Sequence, residues 1–170
     1  MYKDHYYAIQ TYLEDRLNSV QRALGMDMRP WSVEQYQEQY SRIEELRMGA
    51  FPVVYYELVQ PIAWTTSNQK QKVADEVTLR LHLVDKNLEN TSDHILLMAK
   101  HLLESVEGSM IEDDEVVYFR SLRMKESEQK IIKSNVHAFV ISFSTEMRMS
   151  VNPRNLTRVA VSSAAVKFNG

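Results

Sequence analysis

Val77-Thr78-Leu79-Arg80-Leu81-His82-Leu83-Val84 alternates aliphatic with more polar side chains at a period of two. Successive side chains of a strand point to opposite faces. Val77, Leu79, Leu81 and Leu83 therefore share a face that belongs against a core, and Thr78, Arg80 and His82 share a wetter one. A strand of this kind belongs in a sheet covered on one side, and the flanking sequence supplies the rest of it. Upstream, residues 51–59 are β-branched and aromatic and are closed by Pro61, which reads as a second strand. Between the two, residues 62–72 are rich in Thr, Ser, Asn, Gln and Lys, the composition of a long exposed hairpin loop or finger.

Downstream, Thr91 or Ser92 can cap a helix carried inward by Ile95, Met98 or Ala99, Leu102 and Val106, with Gly108 as its stop. Residues 116–125 and 135–149 read as two further strands joined by a charged connection over 126–133. In the second of these, Phe139, Ile141, Phe143 and Met147 fall on one side of the pleat. Glu112-Asp113-Asp114-Glu115 reads as a solvated turn, because it lacks the alternation and the glycine of a calcium loop.

Ahead of the sheet, Ile9, Leu13, Leu17, Val20 and Leu24 line one helical face, and Gly25 follows as a stop. Ser32 and Gln35 have capping-box spacing. They introduce a second expected helix with Val33, Tyr36, Tyr40 and Ile43 as its stripe, closed by Gly49 and Pro52. The expectation is an α+β fold: a mainly antiparallel four- to five-stranded sheet covered by a helix, with an N-terminal helical pair. One domain spans 1–150, with the helices in 1–48 and the sheet plus its helix in 51–149. Residues 151–170 carry Arg154, Arg158 and Lys167 and no acid, around a small apolar run from Val159 to Val166. They are expected to form a final edge strand or an arm that adds to a neighbour's sheet.

Composition narrows the chemistry. A chain of 170 residues with 44% apolar and 25% charged residues has the proportions of one globular domain. The absence of Cys removes disulfides, thiolate nucleophiles and cysteine-ligated metals. A net charge of −3 offers no basic footprint for gripping nucleic acid. No run reaches the roughly 18 apolar residues that a membrane span needs. Met1-Tyr2-Lys3-Asp4-His5 lacks a signal-peptide core, so synthesis in the cytoplasm is expected. His5, His82, His94, His101 and His137 form no ligand motif, and His94 and His101 are two helical turns apart, about 10 Å. There is no glycine-rich phosphate cradle, no activated serine motif, and no carboxylate pair in a setting that separates two pKa values. No catalytic, cofactor or metal site is expected, and none of these residues points to an enzyme.

The order of elements carries a likeness. Phe51-Pro52-Val53-Val54-Tyr55-Tyr56-Glu57-Leu58, then Val77 to Val84, the helix from Ser92, and Asn135-Val136-His137-Ala138-Phe139-Val140-Ile141-Ser142-Phe143 follow in sequence. Over residues 51–149 this pattern resembles the tail terminator or tail-completion (neck) proteins of tailed bacteriophages. The resemblance implies a virion protein made in the host cytoplasm. It would form a homo-oligomeric, hexameric ring that caps the tail tube and joins it to the head connector, while DNA passes through unbound. Neighbour contacts are expected from the finger, at Trp64, Lys70 and Lys72, and from the arm, at Arg154, Arg158, Val159, Val161 and Lys167. Rival readings are another head–tail connector or tube-like subunit, a non-viral binding adaptor, and a small enzyme with dispersed catalytic residues.

Overall fold

The computed structural model describes residues 3–25, 30–68, 71–86, 91–133 and 135–150. The sequence-defining strand is the middle of β4 (Gln71–Lys86), which lies at the centre of the sheet. Leu79, Leu81 and Leu83 are buried on its helix-facing side, as the alternation requires. β4 pairs antiparallel with β2 (Val53–Leu58) on one side and with β7 (Val136–Ser150) on the other. β7 in turn pairs antiparallel with β6 (Val116–Lys133), and β6 with the short β5 (Ile111–Asp113).

A layer of two helices covers one face. α2 (Thr91–Val106) packs over β4 and β7. α1 (Lys3–Leu24) lies beside α2 and reaches from β1 (Ser32–Gln35) to β5. Ile9, Leu13, Leu17 and Val20 of α1 are buried there, with Ile95, Met98, Leu102 and Val106 of α2 and Ile141, Phe143 and Met147 of β7. Arg16 bonds the Ser105 carbonyl at 3.2 Å, and His5 Nε2 lies 2.7 Å from the Arg148 carbonyl, so α1 is pinned to both α2 and the sheet. α1 stops at Gly25, whose φ of +59° suits the residue without a Cβ. Gly108 does the same after α2 at +77°.

The structure corrects the expected architecture in four places. The second N-terminal helix does not form. Ser32–Gln35 is instead β1, parallel to β2 and in register from Ser32 with Val53 to Gln35 with Tyr56. Glu38 follows in the left-handed region at φ 60°, and Gln39–Glu45 makes only 3-10 turns. Helical spacing of Val33, Tyr36, Tyr40 and Ile43 is thus produced by a strand followed by tight turns that bury the same residues. Part of the finger expected over 62–72 is strand: β3 (Thr65–Asn68) folds back on the start of β4, Thr65 opposite Val73. The charged connection over 126–133 is the continuation of β6, paired with β7 through Ile131 and His137 and on to Lys133 and Val136. The sheet therefore has seven strands among the described residues, in the order β1-β2-β4-β7-β6-β5 with β3 on β4, where four to five were expected.

The second face of the sheet is not uniformly wet. Residues 36–51 fold over part of it, burying Ile43, Phe51, Val53, Tyr55, Val84, Val136 and Ala138 in a smaller core. Lys86 ties this segment down by donating to the Glu44 and Leu46 carbonyls at 3.1 and 3.0 Å. The covered half explains why His82 and Val84 are buried although the strand's alternation puts them on the polar side.

Candidate functional site

Where the small core ends, the second face turns polar, and register places its residues in rows. Glu57 of β2, Arg80 of β4, Ser142 of β7 and Glu126 of β6 stand side by side across four strands. The next row holds Tyr55, His82, Val140 and Glu128. Arg80 donates to Glu57 Oε1 at 3.0 Å and to Ser142 Oγ at 3.2 Å. The Tyr40 hydroxyl and His82 Nδ1 are 2.7 Å apart, and the Tyr36 ring stacks on the imidazole at 4.8 Å. His82 Nε2 lies 3.7 Å from Glu57 Oε2, an ion-pair distance longer than a hydrogen bond.

The charges follow from this arrangement. The neighbouring imidazole, and then the Arg80 guanidinium, hold the Glu57 carboxyl below its ordinary value against the opposing effect of partial burial. Burial pushes the Tyr40 phenol well above its usual range, and the Tyr55 phenol up to about 12. Both tyrosines remain neutral hydrogen-bonding groups at any ordinary pH. A cavity of about 220 Å³ opens beside the cluster, lined by Arg80, His82, Glu126, Glu128, Lys130 and Ser142 among others. Glu57, Arg80, His82 and Tyr40 are engaged with one another, which suits a clamp holding the 36–51 segment to the sheet. Among the described residues no group of three or more His, Asp or Glu side chains could hold a metal ion.

The margins of the sheet offer a different kind of site. At the β1 margin side chains occupy outward carbonyls. Gln10 of α1 donates to the Val33 carbonyl at 2.7 Å, and Gln39 donates to the Gln35 carbonyl at 2.9 Å. At the other margin β5 covers β6 only from Val116 to Phe119. Leu122 then exchanges backbone bonds with Gly108 and Ser109 at 2.6 and 2.8 Å, and the Met124 amide donates to Glu107 Oε2 at 2.6 Å. Beyond Met124, no described strand pairs with the outer side of β6. Met124 and Ile131 expose 42% and 68% of their surface on this strand, the latter the most exposed large hydrophobic residue described.

No protein-family model matches the sequence, and no curated protein matches it. Solved structures do. The fold is similar to that of a chain in the virion of a native gene transfer agent (GTA) particle, with a TM-score of 0.51 at 10% identity. The likeness spans 84% of this chain and 94% of that one, so it concerns the whole architecture and not one motif.

Of the expected contact residues, Trp64 is half-buried against the main core just before β3, and Lys72 is exposed on β4 opposite Thr66 and Met149. Lys70, Arg154, Arg158, Val159, Val161 and Lys167 lie outside the described residues. The polar cluster was not expected from the sequence. Glu57, Arg80 and His82 each interrupt an apolar strand run, a signal that could have grouped them. His82 and His137 do not face each other: His82 pairs with Val140, and His137 with Asp85.

Proposed function

We propose that this chain is a structural subunit of a phage-like virion, acting by assembly and not by catalysis. The observation that carries the reading is the fold likeness to the gene transfer agent virion chain, which covers nearly all of both chains. A sheet margin that no described strand pairs with, beside exposed apolar side chains, is what an assembling subunit needs, since backbone groups and apolar area there find partners on docking. The finer reading is a ring, hexameric by resemblance, that caps a tail tube and joins it to the head connector. In it, protomers contact one another and the tube and connector proteins, and DNA passes through a lumen that a mildly acidic chain does not make adhesive.

Size-exclusion chromatography with light scattering, followed by negative-stain imaging, tests this for the purified chain and for the chain co-expressed with a tail-tube protein. Closed rings, alone or seated on tube ends, are expected. A compact monomer that neither closes into rings nor joins tubes would overturn the reading.

A further inference from the structure

The outer side of β6 from Lys125 to Lys133 is a stretch of about 30 Å at strand rise, and no described strand pairs with it. We propose that this margin receives residues 159–166 of a second copy of the chain as an added strand. The proposal rests on the assembly reading above and names the contact that would join one subunit to the next.

Three observations select this occupant. The run Val159-Ala160-Val161-Ser162-Ser163-Ala164-Ala165-Val166 is uncharged and rich in valine, and as a strand it would span about 26 Å. Its length thus suits the open margin. Its small apolar side chains suit Met124 and Ile131, which point from β6 to the helix-covered face and remain exposed. The competing strands fit less well. A second β6 carries Lys125, Glu126, Glu128, Lys130 and Lys133 and would set charged side chains against Met124 and Ile131, where the uncharged run supplies apolar ones. β1 already has the Val33 and Gln35 carbonyls occupied by Gln10 and Gln39.

The same topology favours a second copy over the chain's own tail. β7 ends at Ser150 beside Gln71, just beyond the pairing of Met147 with Phe119. That end of β6 is the one β5 covers, so a chain leaving Ser150 would have to go around β5 before meeting its own open margin. Eight residues, the length of 151–158, span at most about 29 Å, enough to cross to an adjacent subunit.

The chain has no cysteine, so engineered thiols report contacts without background. Full-length Ser127→Cys and full-length Ser163→Cys are mixed and oxidised over a range of concentrations. Ser19→Cys on exposed α1 replaces Ser127→Cys in the control mixture. Docking raises local concentration toward the millimolar range, so the S127C–S163C heterodimer is expected at least roughly tenfold above the control. Adding Val161→Asp to the S163C chain should return it to the control level. Four results overturn the proposal: S127C homodimers as the dominant product, yield unaffected by V161D, an internal disulfide only when both cysteines share one chain, or no excess over control at any concentration. Imaging the same samples separates this contact from the assembly reading. Rings without this cross-link sink the contact alone, and cross-linked pairs that never close into rings or join tubes sink the ring.

Discussion

The two margins of the sheet end in opposite ways. At the β1 margin the strand is short, a segment folds over its neighbour, and glutamines from α1 and from the following turn satisfy outward carbonyls. At the β6 margin the strand is long, its far half is exposed, and beyond the Glu107 cap on Met124 no described strand pairs with it. Exposed strand margins invite unwanted pairing, and natural sheets blunt them with short strands, charges and bulges. β1 is short and capped. β6 carries lysines and glutamates and is interrupted by register shifts between Arg120 and Arg123 and between Met124 and Glu126. What distinguishes β6 is that, among the described residues, these devices stop short of covering it. Among the described residues the β6 margin is thus guarded against indiscriminate pairing, yet has no paired strand beyond Met124.

The largest expected effect compares the apolar anchors of the two margins. Ile43 is fully buried in the small core beneath the β1 side, whereas Ile131 is 68% exposed on β6. Ile43→Ala should cost about 2–5 kcal/mol, through lost transfer energy and the cavity left behind. Ile131→Ala should change the stability of the isolated subunit by no more than about 0.5 kcal/mol. Urea unfolding measures both. Equal losses would mean that the distal half of β6 is packed as firmly as the covered segment, and the contrast between the margins would fail.

The same contrast explains what could be read from the sequence. β4, β2, α1, α2 and most of β7 were legible because each buries one face, which imprints a period of 2 or 3.6 on the apolar residues. Residues 126–133 carry no such imprint, since all but the half-buried Ile132 are exposed and no run of apolar residues marks a face, and only the ladder to β7 makes it a strand. Ser32–Gln35 was misread for the converse reason. Val33, Tyr36, Tyr40 and Ile43 fit a helical stripe by chance of spacing, while Trp31, Ser32, Val33 and Glu34 alternate buried and exposed in the fold. Parallel pairing with β2 is a tertiary preference that local propensity does not encode. The polar cluster needed register as well: Glu57 meets Arg80 only because β2 and β4 align those positions, and Tyr40 reaches His82 from a segment expected to be helical.

A second, smaller effect separates the two ends of one polar row. Glu57, at the β2 end, is 21% exposed and bonded to Arg80, while Glu126, at the β6 end, is solvent-exposed. Glu57→Gln removes a charge-assisted contact and should cost about 1.5–3 kcal/mol at neutral pH, against about 0.5 kcal/mol or less for Glu126→Gln. The folded state lowers the Glu57 pKa, so its contribution is complete above the unfolded value near 4.5 and is lost as pH falls through the depressed folded value. The wild-type chain should therefore lose stability on acidification more steeply than Glu57→Gln. Parallel pH profiles for the two proteins, from denaturant midpoints, would break this assignment.

The smallest effects come from the caps, and they sharpen the comparison most. Gln10→Ala leaves the carbonyl of a buried residue, Val33, without its donated bond at the β1 margin, so a loss of about 1 kcal/mol is expected. Glu107→Ala removes the acceptor from the Met124 amide, but that amide sits where β6 is already opening to water. Water replaces the carboxylate there, so the global cost should stay within about 0.5 kcal/mol. Amide exchange should register the loss instead, accelerating at Met124 without spreading to β4 or β7, because an amide at an exposed margin opens locally and not through global unfolding. Faster exchange reaching the centre of the sheet would mean that the Glu107 cap holds β6 in place. Exchange at Met124 left unchanged would mean that something other than this carboxylate covers the margin, and the open stretch would then begin farther along the strand.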